Sequence, residues 1–407
     1  MKYVMIGNSA AAVGCIEGIR SVDPDGEITV VSSEPYHTYS RPLISYLLLG
    51  KTDLQRMKYR PDNFYETNGC KVLLGKTVQA IDAKEKRVAL ESGEVLPYDK
   101  LLVATGSRPF VPPMEGLDTV PEKFTFLSLD DAKKLEQALG KDKRVLIVGA
   151  GLIGLKCAEG ILNRVGSITV VDLANRVLPS ILNEEGSAMV QAHLESLGLS
   201  FLLSDSVQRF DGTTAYLKSG KTVEFDVLVV AVGVRPNTEL VKEAGGEVRR
   251  GIATDLHCAT TLPDVYAAGD CSECYDLTTG QNRVLALLPN AYMQGRCAGV
   301  NMAGTDSAYD TAIPMNAIGF LGLHMITAGA YEGEAHIVRD SGSYKALFCR
   351  DNRLMGFILI GDVARAGIYT SLIRNQTPLD TIDFELVMEK PQLMAFTKAA
   401  RTEMMAK

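Results

Sequence analysis

No segment of this sequence carries a dense run of one charge: 42 lysines and arginines stand against 49 aspartates and glutamates in 407 residues, for a net charge of −7. Without a basic field there is no electrostatic footprint for a nucleic-acid partner, and none is expected. A basic leader followed by an apolar core and a cleavage site is also missing, because the chain runs from Met1 straight into YVMIG. Long uninterrupted apolar runs are absent too. The most hydrophobic stretch, AIPMNAIGFLGLHMITAGA, is broken by Pro314, Asn316, His324 and several glycines, so it reads as packed strands rather than a membrane span. Cysteine is sparse and scattered, with eight residues at 15, 70, 157, 258, 271, 274, 297 and 349. Only Cys271 and Cys274 form a close pair, and no second such pair or nearby histidine completes a zinc or iron–sulfur site, so no metal is expected. Together these absences lead to the expectation of a cytoplasmic protein with reduced thiols.

What is present is periodicity and glycine. An apolar content of 46% supports several cores, and the length suggests two or three domains. Residues 2 to 6 read as a strand ending at Gly7, AAAVGCIEGIR as a helix stopped by DPDG, and EITVVSSE as a second strand. Glu34 closes this β-α-β unit 34 − 7 = 27 residues after the glycine, though Ser9 and Ala12 occupy the second and third glycine positions of a dinucleotide fingerprint. A second unit is complete. RVLIV leads into Gly149-x-Gly151-x-x-Gly154, a helix follows, and SITVVD ends in Asp172, 172 − 149 = 23 residues on. In such a loop the first glycine makes the tight turn, the second admits backbone N–H groups to a pyrophosphate, and the third lets helix and strand approach.

Further strands, DKLLVATG and FDVLVVAVG, follow the two units, so each unit is expected to complete its own domain. The proline-rich SRPFVPPMEGL reads as a linker between them, with a similar crossing near RPNTELVKEAGGEVRRG. From about Tyr309 the pattern changes to alternating strands with a turn at RDNR, then the helical ARAGIYTSLIRNQ. The tail places Leu393, Phe396, Ala400 and Met404 at helical spacing, an apolar stripe that packs either on its own domain or on a partner subunit.

Five of these motifs, in order, resemble the two-dinucleotide-binding-domain family of FAD/NAD(P)-linked oxidoreductases: Gly7 with Glu34, ATG at 104–106, GAGLIG, VGVRPNT at 232–238 and DVYAAGD ending at Asp270. Within it, YSRPLISYLLLG and LLPNAYMQG look most like NADH:rubredoxin reductases and the flavin half of NADH-dependent nitrite reductases. The resemblance implies an α/β fold with two Rossmann-like domains, an NAD domain at 110–238 inserted in a split FAD domain at 1–109 and 239–308, and a small α+β interface domain at 309–407. It implies FAD held by Gly7, Ser9, Ala10, Glu34, Arg41, Pro42, Val78, Ala104, Thr105, Gly106, Gly269, Asp270, Pro289 and Asn290, with Asp270 opening a helix. NAD would be held by Gly149, Gly151, Leu152, Ile153, Gly154, Asp172 and Gly233. One loop then holds a resident electron carrier and the other a visiting one.

Several residues sharpen this expectation. Disulfide-reducing relatives carry a cysteine pair after the first acidic residue, and PYHTYSRPLISYLL has none. Cys271 and Cys274 read either as a low-pKa pair at a helix start or as two buried small residues, the second being favoured. Asp172 favours a ribose 2′-hydroxyl and hence NADH, with Arg176 a moderating cation nearby. Lys156 stands where family members carry glutamate near the nicotinamide; it is either a catalytic cation that stabilises negative charge on reduced flavin or a solvated helix lysine. The expected activity is electron exchange between NADH and an iron–sulfur or rubredoxin-like protein, free or as a sister subunit. A self-contained NADH oxidase using dioxygen and a flavin-bearing scaffold are the alternatives. Whether the chain forms a homodimer or a hetero-oligomeric complex stays open.

Overall fold

The computed structural model describes residues 1–399 and 401–402. In it the first apolar run becomes the centre of a five-stranded parallel sheet, ordered Val265–Ala267, Lys100–Val103, Lys2–Ile6, Glu27–Ser32, Cys70–Leu74. Lys2–Ile6 is buried from Tyr3 onward, as expected of a parallel strand covered on both faces. From it the chain runs first to one side, to Glu27–Ser32, and later returns to the other, to Lys100–Val103, so the loop at its carboxyl end opens at the point where strand order reverses, the place where open α/β sheets bind ligands.

The second apolar run repeats the plan. Arg144–Val148 lies centrally in a parallel sheet ordered Leu199–Leu203, Ser167–Asp172, Arg144–Val148, Val227–Val230, Lys123–Phe124. Each parallel sheet is accompanied by a three-stranded antiparallel one, Val78–Asp82 with Arg87–Leu90 and Val95–Pro97 in the first case, Val207–Asp211 with Thr214–Leu217 and Thr222–Glu224 in the second. The two proline-containing crossings pair with each other: Ser107–Pro109 runs antiparallel to Val234–Pro236, with Ser107 opposite Pro236 and Pro109 opposite Val234. All of this belongs to one compact unit formed by Met1–Leu178, Glu195–Tyr275 and Asn282–Asp310.

One packing contact in that unit was not anticipated. Helix Ala10–Arg20 and helix Leu288–Met302 meet through two glycine pairs spaced by four, Gly14 and Gly18 on one, Gly295 and Gly299 on the other. A β-carbon on Gly295 would lie 1.9 Å from the Ala11 carbonyl oxygen, and one on Gly14 would lie 2.2 Å from the Tyr292 oxygen. The backbones touch, which only glycine allows.

The second compact unit contains residues from Thr311 onward together with Pro179–Leu194 and Asp276–Gln281. Its antiparallel sheet is ordered Met315–Phe320, Leu323–Gly329, Arg353–Ile360, Ser343–Arg350, Glu334–Asp340. The expected RDNR turn is present, with Asp351 and Asn352 both left-handed (φ 50° and 59°), as a two-residue hairpin loop requires. Helix Ala366–Arg374 covers the sheet through Tyr369, Leu372 and Ile373. The most hydrophobic stretch forms the first hairpin of this sheet, and among the described residues no helix is long and apolar enough to cross a membrane.

The tail departs from its helical pattern at residues 393–396 and turns helical only after them, where the Thr397 carbonyl accepts the Arg401 amide at 3.0 Å. Leu393–Ala395 makes a single tight turn, Phe396 is extended (φ −97°, ψ 151°), and the Ala395 carbonyl accepts the Asp383 amide at 3.0 Å instead of continuing a helix. Burying Ala395 and Phe396 in this unit's core outweighs helical continuity, and Leu393 and Met394 are left exposed. Ala400 and Met404 lie outside the described residues.

Candidate functional site

Both glycine-rich loops turn through a backbone conformation that only glycine accommodates. Gly7 and Gly149 adopt φ 117° and 119°, and added β-carbons would strike the Ala104 oxygen at 2.1 Å and the Ala231 oxygen at 2.3 Å. A β-carbon on Gly154 would lie 2.0 Å from the Gly149 oxygen, so helix and loop are in contact there. Gly151 is different. Nothing lies within 4 Å of its missing β-carbon, leaving open space above the first turn of helix Leu152–Ile161. Leu152 and Ile153 form that turn. In the first loop Ser9 caps helix Ala10–Arg20, and neither Ser9 nor Gly151 hydrogen-bonds its helix through a side chain, so backbone N–H groups rather than caps line both openings. Ala12, in the third glycine's place, is fully buried against this tight packing.

The acidic residues stand at the expected strand ends. Asp172 accepts the Ala150 amide at 2.6 Å and the Ala174 amide at 2.7 Å, which ties its carboxylate to the glycine loop. Glu34 pairs with Arg41 at 2.9 Å, and the Arg41 guanidinium also lies over Tyr39, 5.3 Å from the ring centre. Pro42 follows in the short turn Arg41–Leu43. Val78 is buried at the start of its strand in the core beneath the first sheet.

The motifs ATG and VGVRPNT are joined. Thr105 donates its hydroxyl to the Asn237 carbonyl at 2.7 Å, and the Asn237 side chain donates back to the Thr105 carbonyl at 2.9 Å. Gly106 and Gly233 are both left-handed with open space at the β-carbon position, and Ala104 is the backbone wall behind Gly7. Asp270 accepts the Ser107 hydroxyl at 3.1 Å, and burial pushes its carboxyl above the usual range. Gly269 donates its amide to the buried Gln294 side chain at 2.8 Å. Pro289 starts the Leu288–Met302 helix, and the buried Asn290 accepts the Tyr309 hydroxyl at 2.9 Å. Asn237, Gln294 and Tyr309 were not singled out as site residues from the sequence, although Asn237 lies inside VGVRPNT and Gln294 inside LLPNAYMQG.

The expected helix after Asp270 is absent. Left-handed Gly269 (φ 85°) turns the chain, and the Cys271 carbonyl and Glu273 amide hydrogen-bond Ile252 at 2.8 and 2.9 Å, so the segment runs extended. No helix N-terminus activates Cys271. Its thiol is buried against the Val103 and Ala268 carbonyls, and burial pushes it upward, while Cys274 is buried at the start of strand Cys274–Asp276.

Lys156 is not a solvated lysine. Its side chain is 15% exposed, pairs with the Glu159 carboxylate (2% exposed), and lies 4.3 Å from the centre of the Tyr46 ring. Tyr46 belongs to helix Ile44–Leu48, and a β-carbon on Gly160 would lie 2.9 Å from the Ser45 oxygen. The lysine therefore occupies the contact between the segment that follows Arg41 and Pro42 and the helix that opens at Gly151. Among the described residues no cluster suited to a metal ion occurs.

The model of the family described as pyridine nucleotide-disulphide oxidoreductase matches residues 1–295, and that of the rubredoxin NAD+ reductase C-terminal domain matches residues 314–377. The chain is 32% identical to the NADH-dependent phenylglyoxylate dehydrogenase subunit epsilon of Aromatoleum evansii, over 93% of this chain and 92% of that one. It is 31% identical to the nitrite reductase [NAD(P)H] of Bacillus subtilis (strain 168) over 93% of its length, but spans only 48% of that protein. The fold is that of a solved complex between putidaredoxin reductase and putidaredoxin, with a TM-score of 0.87 at 23% identity, covering 100% of this chain and 98% of that one. The chain belongs to the pyridine nucleotide-disulphide oxidoreductase family and is an FAD-dependent NAD(P)H oxidoreductase.

Proposed function

We propose that this protein passes electrons between NADH and an iron–sulfur or rubredoxin-like protein, either free or as a sister subunit. The observation that carries the reading is the pair of matching glycine turns, at Gly7 and Gly149, in one compact unit, with no cysteine among the described residues of the segment that follows Glu34, residues 35–50. Electrons must then leave from the flavin itself. FAD, when bound, supplies the conversion between hydride transfer and single-electron delivery that nicotinamide lacks. The match to a rubredoxin NAD+ reductase C-terminal domain and the likeness to a subunit of an NADH-dependent dehydrogenase support a protein acceptor.

In this reading residues 1–109 and 239–308 hold FAD, residues 110–238 hold NAD, and residues 309–407 form an interface domain. The Gly7–Ala10 turn and the Gly149–Gly154 turn present amides to the two pyrophosphates. Glu34 and Asp172 receive ribose hydroxyls, and Arg41 offsets phosphate charge. Ala104, Thr105, Gly106 and Val78 enclose the adenine end of FAD, Gly269 and Asp270 its ribityl chain, and Pro289 and Asn290 its ring. Gly233 borders the nicotinamide nucleotide. Lys156, fixed by Glu159 and Tyr46, supplies positive charge beside the reacting rings. The eight free cysteines suit a reducing cytoplasm.

The test is anaerobic reduction of the purified yellow protein by NADH and by NADPH, followed by mixing with a rubredoxin or a cluster-bearing protein that co-purifies. Rapid bleaching by NADH and rapid acceptor reduction, with slow oxygen uptake, are expected. Fast oxygen uptake with no protein acceptor would replace this reading with a stand-alone oxidase.

A further inference from the structure

The segment that follows Glu34 is held from two sides within one compact unit. On one side lies the first glycine turn. The Asn8 side chain, between Gly7 and Ser9, donates to the Tyr36 carbonyl at 3.3 Å and accepts the Tyr65 hydroxyl at 2.6 Å, and that hydroxyl accepts the Thr38 amide at 3.2 Å. On the other side lies the first turn of helix Leu129–Ala138, which comes from a distant part of the chain. The Leu129 amide donates to the Tyr39 hydroxyl at 3.0 Å, while the Tyr36 hydroxyl donates to the Asp130 carboxylate and accepts the Lys133 ammonium at 3.1 Å. The two tyrosine rings meet edge to face, 6.4 Å between centres.

Tyr39 is the residue at which these contacts converge on Arg41. It is only 8% exposed, and its hydroxyl accepts twice, from the Leu129 amide and from Arg41 Nη1 at 3.2 Å. Its ring also lies under the same guanidinium, whose Nη2 is held by Glu34. Burial pushes the Tyr39 hydroxyl up, so it stays neutral and serves Arg41 as an acceptor rather than a counter-charge. The Leu129 amide is one of the helix-start donors that have no acceptor inside their own helix, and the Ser128 cap takes the Asp131 amide instead. With both lone pairs engaged, one hydroxyl therefore completes a helix start and fixes a cation.

We propose, resting on the reading in which Arg41 offsets FAD phosphate charge, that Tyr39 is a positioning residue for FAD: its hydroxyl fixes the Arg41 guanidinium for the phosphates and braces it against the first turn of helix Leu129–Ala138. Without that hydroxyl, Glu34 is the one remaining hydrogen-bond partner of Arg41 among the described residues. The rotamers of a long side chain are then open again, and ordering them falls on FAD binding. Retention of FAD thereby depends on a helix that belongs to neither glycine turn.

Dilution of the holoprotein, with the fluorescence of released FAD followed to equilibrium, gives dissociation constants for the unaltered protein, Tyr39→Phe, Arg41→Met and the double variant. Tyr39→Phe is expected to weaken FAD about tenfold, the size of one hydrogen bond to a charged group, and by about twofold or less in the Arg41→Met background. An equal loss in both backgrounds would assign Tyr39 to folding alone and overturn the proposal. A loss on Arg41→Met with none on Tyr39→Phe would overturn it while leaving the Arg41 reading intact, whereas no loss on Arg41→Met would remove both. The brace is read separately. Proline is favoured at the first position of a helix and suits the extended Ser128 before it (φ −105°, ψ 167°), so Leu129→Pro removes the amide donor along with the leucine side chain, and Leu129→Ala removes the side chain alone. FAD should be held about threefold or more weakly by Leu129→Pro than by Leu129→Ala, and equal dissociation constants would overturn the brace.

Discussion

Replacing Gly295 with alanine sets two opposed effects against each other. Alanine in a helix interior gains about 1 kcal/mol over glycine from backbone entropy alone. Here, however, the new β-carbon would meet the Ala11 oxygen at 1.9 Å, its carbonyl carbon at 2.7 Å and its α-carbon at 2.9 Å. All three are backbone atoms and cannot rotate away. Reaching an ordinary C···O contact of about 3.3 Å requires the helices to part by about 1.4 Å. A gap of even about 0.5–1 Å forfeits a quarter to a half of each dispersion contact along the seam, and Gly14, Gly18 and Gly299 would all lose theirs together. Overpacking therefore wins, by about 3 kcal/mol or more. Because the Leu288–Met302 helix also carries Pro289 and Asn290, flavin should be held less tightly. Urea unfolding with flavin fluorescence as the signal measures both, since released flavin brightens. Gly367→Ala is the control: it lies in helix Ala366–Arg374 with nothing within 4 Å of the β-carbon position, and it should stabilise by about 0.5–1 kcal/mol. A Gly295→Ala protein with the original midpoint and full flavin content would refute the steric reasoning.

Three other substitutions test the site and the fold. Asp172→Ala removes the acceptor of the Ala150 and Ala174 amides, so KM for NADH should rise about tenfold, or about 1.4 kcal/mol, and the NADH-over-NADPH ratio should fall; an unchanged ratio in steady-state kinetics would contradict the ribose assignment. Lys156→Glu should make the flavin midpoint potential more negative, since it replaces the cation of the buried Lys156–Glu159 pair with a second carboxylate; an anaerobic redox titration showing no change with FAD fully bound would reduce Lys156 to a structural role. Asp264 is held below the usual carboxylate range by hydrogen bonds from Lys100 at 2.7 Å and Lys86 at 2.5 Å, so its contribution is present above the unfolded pKa and lost as pH falls through the folded one. Asp264→Asn should therefore lower stability by about 1 kcal/mol at pH 7, with the deficit closing below about pH 4; a deficit independent of pH in thermal melts would sink the ion-pair account.

The parts of the fold read most directly from sequence are those with short-range causes. Lys2–Ile6 and Arg144–Val148 are continuous apolar runs followed by glycines that adopt left-handed turns, and both signals act within a few residues. The RDNR hairpin is of the same kind. What escaped was set by distant partners. Gly295 and Gly299 look like helix breakers until Gly14 and Gly18 are known to lie against them. Asp270 seemed to open a helix because nothing nearby shows that Ile252 claims the following backbone. The tail has helical spacing throughout, yet the core position of Phe396 overrides it at residues 393–396, and helix forms only beyond. At the candidate site, the strand–turn–helix spacing of Gly149, Gly151, Gly154 and Asp172 was legible, whereas the Tyr46 ring over Lys156 comes from another element altogether.

The two crossings between the sheets form one antiparallel ribbon, with Ser107 opposite Pro236. Because the two crossings pair with each other, the chain enters and leaves the second parallel sheet at one place, while contacts such as Lys156 with Tyr46 hold the two sheets together elsewhere in the same compact unit. The same arrangement makes the segment between the crossings exchangeable. Its entry and exit lie side by side, so the corresponding segment of a relative can be grafted at two neighbouring positions while the first parallel sheet keeps its strand order. Under the proposed function, a chimera joined at this ribbon is expected to change the preferred nicotinamide donor while leaving the preferred acceptor as it is.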